Sequence, residues 1–450
     1  MTSNDKDKDD KKAKGDAAAR AAERAARQAA NKAEREARRA ARQAERTAHR
    51  AQSEQAPEKP GDRTQDKPRG KATGKAAAKA SGKLPAQPVA GAAPKAATSL
   101  PSSVAPLLVS PESAAEPVAK SGTPPFNILV IGQGRRLGSE AALFAASLRR
   151  NAPDWRGRLI VAEPKPEGPW AGTDTQIPTL QRAAIAAFGA EILPFTAQHF
   201  GAGYPYGNKI EALSLLPAGE PFMFFDSDTL ITGPLDRMEI DFSRPSASMR
   251  RTGTWPEPPL YGPGYGDIWK SLYDRFGLDY ESSLDKSQPD EYWERYLYFN
   301  AGWFFGNDPQ EFGRRFLDWS LAIRNEPGDA LACQSLDPWL DQITLPLVIH
   351  SLGGGRPGPE LAGLDGWASC HYRNLSLLYA RESDEVVALI EDLAADYRIS
   401  TFFAEDEAAK QLIIEGKGRS SVRPLFGDNG SEWPEKKIRQ TLRRADLWFR

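Results

Sequence analysis

The chain has 450 residues, 26% of them charged, and a formal net charge of -1, enough length for one large domain or two ordinary ones. Cys333 and Cys370 are its only cysteines, which excludes a disulfide framework and a cysteine-rich zinc site and fits a reducing compartment. The first residues lack the apolar core of a signal peptide, and no run approaches the roughly 18 to 20 apolar residues that span a bilayer, so the expectation is a cytoplasmic protein.

The near-neutral total hides an asymmetry. Residues 1–122 carry roughly ten more Lys and Arg than Asp and Glu, and the remainder is acidic by a similar margin. Ala, Lys, Arg, Pro and Ser dominate this first part, which has no Phe, Tyr or Trp, and such a composition buries too little apolar surface to offset the entropy of ordering. It reads as a disordered tail. Within it, residues 16–52 are Ala-rich with Glu23, Arg27, Glu34 and Arg38 at helix-pairing distance, so a single helix is expected there. Its apolar positions are almost all Ala, too small for a coiled-coil seam. Without aromatic residues to stack on bases, the tail points to no specific nucleic acid. Its charge implies at most weak peripheral contact with the inner face of an anionic membrane. Residues 57–125 read as a Pro- and Gly-rich linker.

The folded body, residues 123–400, begins with Phe126 to Gly132, an apolar run of parallel-strand type. A helix over 137–150, a strand over 158–162, a helix over 176–188 and a strand over 190–195 follow. That alternation predicts an α/β sheet of the Rossmann-like kind with ligands at the C-terminal ends of its strands. Asn208-Lys209-Ile210-Glu211 starts a helix, and Lys209 sits where it reaches either a phosphate or solvent.

The next apolar run, Phe222 to Phe225, ends abruptly in Asp226-Ser227-Asp228 before resuming at Leu230. Two carboxylates one residue apart at a strand tip suit a hard divalent cation, Mn²⁺ or Mg²⁺, shared with a substrate's phosphates. The plainer alternative is a pair of turn-capping aspartates. A strand over 246–250 and a helix over 265–277 are expected next, with Trp269 and Phe276 in the core. Tyr298 to Asn307 reads as an apolar strand interrupted by Asn300, Ala301 and Gly302. Glycine in a strand marks close approach by a ligand or by another backbone. A helix over 309–324 follows. A short helical turn over 337–342 then precedes the apolar run 343–349, which Pro346 is expected to keep from being a regular helix. Residues 383–393 read as a helix capped by Ser383, and residues 401–450 as a helical extension whose Trp433 and Trp448 either pack back on the core, the preferred reading, or form an acceptor or membrane-edge surface.

In order, Asn208-Lys209, Ala212-Leu213, Phe225-Asp226-Ser227-Asp228, Phe299-Asn300-Ala301-Gly302 and Asp341-Gln342 resemble the GT-A fold glycosyltransferases, most nearly those similar to glycosyltransferase family 8. The resemblance covers residues 127–381. It implies a glycosyltransferase of hexosyltransferase type that takes a nucleotide-diphosphate sugar donor and a glycan or glycolipid acceptor, with retention of anomeric configuration. Asp226 and Asp228 would hold the metal, Lys209, Asn300 and Gly302 would border the donor, and Asp341 and Gln342 would lie near the acceptor and the anomeric carbon. The loop Gln133-Gly134-Arg135 would border the nucleotide.

The family's usual His motif is absent as a full copy. His371, in the strand-like stretch 367–373, is preferred over His350 as a third metal ligand, with water as the alternative, and Arg373 is available for a phosphate. Two other classes compete. A noncatalytic scaffold of the same fold would explain the altered His motif. A nicotinamide oxidoreductase would use Gly132 to Gly138 as a dinucleotide fingerprint with Glu163 on a ribose, but leaves the Asp226 and Asp228 tip unexplained.

Overall fold

The computed structural model describes residues 125–250 and 253–449. The chain divides into two units, Met1–Ala119 and Lys120–Arg450, and every described residue belongs to the second. The expected tail and its helix over 16–52 lie outside the described residues.

Strand β1 (Asn127–Ile131) leads into helix α1 (Gly134–Asn151), then β2 (Leu159–Pro164), α2 (Thr179–Ala187) and β3 (Glu191–Phe195). After a short helix, α3 (Asn208–Glu211), the chain enters β4 (Phe222–Phe225) and β5 (Thr229–Ile231). Next come α4 (Tyr265–Arg275), β6 (Trp303–Gly306), α5 (Pro309–Asn325), α6 (Leu340–Ser351) and β7 (Ser369–His371). The main sheet has the order β3-β2-β1-β4-β6. Its first four strands are parallel, and β6 runs antiparallel beside β4. This is the mostly parallel α/β arrangement that the GT-A resemblance implies.

Both faces of the sheet are covered, which is why β4 is apolar throughout and β1 is apolar after Asn127. Ile128 and Val130 join Met223 and Phe225 in one cluster with α1, while Leu129 and Ile131 join Phe222 and Phe224 in the other with α5 and α6. Alternate residues of a strand point to opposite faces, so a strand clad on both sides has no polar positions to spare. Each fully buried Phe is worth about 1.5 to 3 kcal/mol, and Phe222, Phe224, Phe225, Phe304 and Phe305 are all fully buried. Helix α5 starts where the sequence dictates: Asp308 accepts from the backbone amides of Gln310 at 2.8 Å and Glu311 at 3.3 Å, and Pro309 occupies the first helical position.

Three expectations are corrected. Residues 246–250 form no continuous strand; only a bridge from Ala247 to Phe304 forms. The Phe305 amide of β6 donates to the Ser246 carbonyl and the Ser248 amide to the Trp303 carbonyl, but Asn300 N–H then takes the Ser248 carbonyl and ends the ladder. The strand expected over 298–307 is confined to 303–306, because the chain turns at Ala301 and Gly302. Residues 340–351 do form a helix, with Pro346 inside it. Proline removes one intrahelical bond. That loss is offset by burial of Ile343, Leu345, Leu347, Val348 and Ile349, and tertiary packing of this kind overrides local propensity.

The C-terminal part adds α7 (Leu375–Arg381), α8 (Asp384–Ala394), α9 (Tyr397–Phe403), α10 (Glu407–Ala409) and α11 (Glu435–Arg444). Ser383 caps α8 by accepting from the Val386 amide. Phe402, Phe403, Leu412, Ile438 and Leu442 are buried in the same cluster as α1, with Trp433 and Trp448 packed against its edge. Ser376 Oγ donates to the Leu447 carbonyl at 2.8 Å and Asn374 Nδ2 to the Phe449 carbonyl at 2.9 Å, so the last turn is tied to the segment just after β7.

Candidate functional site

The site grows from the tip of β4. Asp226 follows the last strand residue, and its amide donates to the Gly302 carbonyl at 2.8 Å, fixing where the strand ends. The chain then turns through Ser227 and Asp228 into β5, which leaves the main sheet and pairs antiparallel with β7. In that register Thr229 lies opposite His371, and the Tyr372 amide donates to the Asp228 carbonyl at 3.0 Å. The small sheet thus delivers an imidazole to the acidic tip. His371 Nε2 stands 3.0 Å from Asp228 Oδ1 and 3.8 Å from Asp226 Oδ2.

Asp226, Asp228 and His371 present one ligand atom each, all within 4.8 Å of one another. Two carboxylate oxygens and an imidazole nitrogen form a mixed hard and borderline donor set that fits Mn²⁺, and fits Mg²⁺ through its oxygens. Burial would raise the Asp228 carboxyl, but His371, Arg136 and Lys209 outweigh it and hold the group below the usual carboxylate range. It stays ionised, as a metal ligand must. Gly302 makes room for the ring: a Cβ there would lie 2.3 Å from His371 Nδ1.

Lys209 is buried. Its Nζ lies 2.9 Å from Asp226 Oδ1 and 3.4 Å from Asp341 Oδ2, and donates to the Ala301 carbonyl at 3.2 Å. Burial disfavours the ammonium, yet the two carboxylates overcome this and raise Lys209 above its ordinary value. Asp341, on the first turn of α6, is itself raised by burial, against the pull of Lys209. Tyr204 completes the group: its hydroxyl donates to Asp341 Oδ1 and accepts from the Asp341 amide, each at 2.9 Å. Asp226 therefore gives one oxygen to Lys209 and turns the other toward His371.

The remaining residues expected in the site are placed around this core. Gln342 Oε1 accepts from Tyr298 Oη at 2.9 Å. Asn300 Nδ2 donates to the Arg250 carbonyl at 2.7 Å, which also accepts from Arg373 at 3.1 Å. Gly134 takes the left-handed backbone (φ 56°) at the start of α1, and Gln133 Oε1 accepts from Asn208 Nδ2 at 3.0 Å. Arg135 points away, to an exposed ion pair with Glu405 at 2.7 Å. His350 is outside the cluster, its Nε2 3.0 Å from the Asp279 carbonyl and its ring edge-on to Tyr273. Glu163, the acid a dinucleotide site would offer to ribose, instead accepts from the Ile177 amide and pairs with Arg182.

Sequence reasoning missed Tyr204 and Glu140. Neither belongs to a recognisable pattern. Tyr204 reaches Asp341 only because the chain before α3 folds against α6. Glu140, on α1, accepts from Ser227 Oγ at 2.9 Å and from Arg136 at 2.9 Å. Burial and the charge of Asp228 raise its carboxyl. A helical position four residues after an arginine was the one signal available. Beside it opens a cavity of about 450 Å³ between Glu140, Tyr206, Tyr372 and Arg373 on one side and Arg439 and Trp448 on the other.

The sequence pattern of a family described as the Rhodobacterales glycosyltransferase domain matches residues 128–353. No curated protein matches the chain. Among solved structures, it is similar to the galactosyltransferase LgtC in complex with donor and acceptor sugar analogs, at 16% identity and a TM-score of 0.36, over 60% of this chain and 95% of that one. It is also similar to the apo bifunctional glycosyltransferase WbbM, at 15% identity and a TM-score of 0.37, over 64% of this chain and 52% of that one. The glycosyltransferase GlyE of Streptococcus pneumoniae TIGR4 is similar at 11% identity and a TM-score of 0.34, over 62% of this chain and 64% of that one.

Proposed function

The chain belongs to the Rhodobacterales glycosyltransferase domain family, and on that premise we propose that it transfers a sugar from a nucleotide-diphosphate donor to a glycan or glycolipid acceptor, with a divalent cation at Asp226, Asp228 and His371. The observation that carries this reading is the convergence of those three ligand atoms within 4.8 Å, at the C-terminal end of a parallel strand where α/β sheets bind ligands. Turn-capping aspartates would not need an imidazole brought from β7. When bound, the cation would supply positive charge against the negative charge that develops on the departing diphosphate.

The protein's own groups do the rest. Lys209 fixes Asp226 in one orientation and neutralises part of the acidic tip. Tyr204 and Lys209 together hold Asp341, and Tyr298 holds Gln342, so both side chains are preset where the acceptor and the anomeric carbon would meet. The loop 133–134 and the cavity beside Glu140 border the donor's nucleotide; Asn300 and Gly302 lie against its sugar. Arg135, engaged with Glu405 on the surface, has a smaller part in this arrangement. Retention of anomeric configuration and a hexose donor complete the proposal. So does the organisation of the chain as a tail (1–122), a catalytic domain (123–400) and a helical extension (401–450), the tail giving weak contact with the cytoplasmic face of a membrane. Among the described residues, no helix is long and apolar enough to cross one.

Thermal unfolding in the presence of UDP, GDP or CMP, with and without Mn²⁺, tests the reading, because a ligand of the native state raises the transition. Stabilisation by one nucleoside diphosphate only with Mn²⁺, lost in the Asp226→Asn, Asp228→Asn double variant, is the expected result. Silence with every nucleotide would favour a noncatalytic scaffold.

A further inference from the structure

A second depression lies on the far side of α11, a groove of about 920 Å³. Its walls include two indole rings, Trp293 and Trp339, and one face of α11. Lys436, Arg439, Gln440 and Arg443 recur on that face at helical spacing. Trp339 is 39% exposed. Lys436 and Arg443 are exposed and have no acidic partner among the described residues. The one carboxylate in the wall, Glu435, is already committed to three guanidiniums, those of Arg373, Arg381 and Arg439. The groove is therefore aromatic and cationic at once.

We propose that this groove is the acceptor subsite and that it takes an anionic saccharide, one bearing a carboxylate or phosphate. The inference rests on the transferase reading and adds to it the charge class of the acceptor. Three observations support it. Trp339 is the residue immediately before α6 and three positions before Gln342, the spacing that puts two side chains on the same side of a helical turn, so the groove is continuous in the chain with the proposed reacting centre. Arg439 lines both this groove and the cavity beside Glu140, so the two spaces share a wall. The chemistry is also complementary: flat aromatic faces with a few placed polar groups suit a sugar ring, and lysine and arginine recognise carboxylate and phosphate oxygens through charge-assisted hydrogen bonds. Arg443 also lies over the Trp448 ring, 5.6 Å from its centroid, so Lys436 is the charge that a neutral acceptor would leave unused. A membrane surface would need large apolar residues to insert, and α11 carries its only Ile and Leu, Ile438 and Leu442, buried in the core.

The labelled full-length protein, applied to an array of sialylated, uronate-containing and phosphorylated oligosaccharides beside their neutral counterparts, tests this. Capture by acidic saccharides and not by the neutral ones is expected, with at least a tenfold loss in Lys436→Ala, Arg443→Ala and again in Trp339→Ala. The two charge substitutions are on exposed helix positions, and an unaltered thermal midpoint verifies their folding. Equal capture of neutral and acidic saccharides, no capture at all, or undiminished capture by the double variant would overturn the proposal. Residue-dependent binding to phosphatidylserine vesicles without saccharide capture would assign the surface to a membrane instead. Stabilisation of the unaltered protein by nucleoside diphosphate and Mn²⁺ reads the donor site separately, so a failure there is not confused with a failure here.

Discussion

Gly302→Ala isolates the third proposed ligand of the cluster, His371, without touching a ligand atom. Gly302 is not among the residues with left-handed backbone, so alanine is acceptable to the main chain and the effect is purely one of space. The added methyl would lie 2.3 Å from His371 Nδ1 and 2.8 Å from Cε1, against an ordinary contact of about 3.4 Å or more. The ring must retreat by about 1 Å. It has little freedom to do so and remain in place, because β7 is locked to β5 and Nε2 stands 3.0 Å from Asp228. Metal–ligand distances tolerate only about 0.2 Å, so His371 drops out and two carboxylates remain. Mn²⁺ affinity should fall about 100-fold, equivalent to about 2.8 kcal/mol. Titration of the apo protein with Mn²⁺, followed by electron paramagnetic resonance of the free ion, measures it. The double variant Gly302→Ala, His371→Ala should be no weaker than either single one, since both remove the same ligand. A Gly302→Ala protein that binds Mn²⁺ within twofold of the unaltered chain would refute the reasoning.

Other consequences are equally direct. Lys209→Met leaves Asp226 and Asp341 without their shared cation; breaking a buried pair from one side costs about 3 to 5 kcal/mol, so the denaturation midpoint should fall clearly, and a shift indistinguishable from zero would mean that the triad carries no net stability. Glu435 has a folded value lowered below the ordinary one, since burial, which would raise it, is outweighed by Arg373, Arg439 and Arg381. Its contribution is complete above the unfolded value of about 4.3 and disappears as pH falls through the folded value. Glu435→Gln should therefore lower the melting temperature at neutral pH and flatten its decline in acid, whereas parallel curves down to pH 3 would contradict that assignment. Cys333 is exposed and Cys370 buried, and burial raises the Cys370 thiol far above its ordinary value. Only Cys333 should react with a thiol reagent in the native protein, and both after unfolding; rapid reaction at Cys370 would show that β7 opens readily.

Much of the sheet was legible because β1, β2 and β4 are short apolar runs bounded by Gly, Pro or Asp, and because a strand buried on both faces leaves no other pattern. The acidic tip was legible for the same reason: two carboxylates after four buried residues cannot be core. What escaped depends on tertiary position. Helix α6 passes through Pro346 because packing on every side offsets one missing hydrogen bond. Residues 246–250 have strand composition, but Asn300 takes the bond that would have extended the ladder. Tyr204 has no sequence relation to Asp341, and nothing in Asn300-Ala301-Gly302 says that the glycine faces an imidazole from near residue 370. His371 and His350 both end or border apolar runs; only the pairing of β7 with β5 separates the one beside Asp228 from the one beside Tyr273.

The two-stranded pairing of β5 with β7 also sets an order of events. As the chain leaves the ribosome, N-terminal parts gain structure first, and the acidic tip emerges long before the strand that brings His371. A chain stopped between β6 and β7 holds a nearly complete parallel sheet and an acidic tip with two of the three proposed cation ligands. The cluster can exist only after the second half has closed on the first, a long-range contact of the slow-forming kind. On the proposed reading, cation capture at all three groups would report that synthesis has passed β7, and a product truncated before it would be silent.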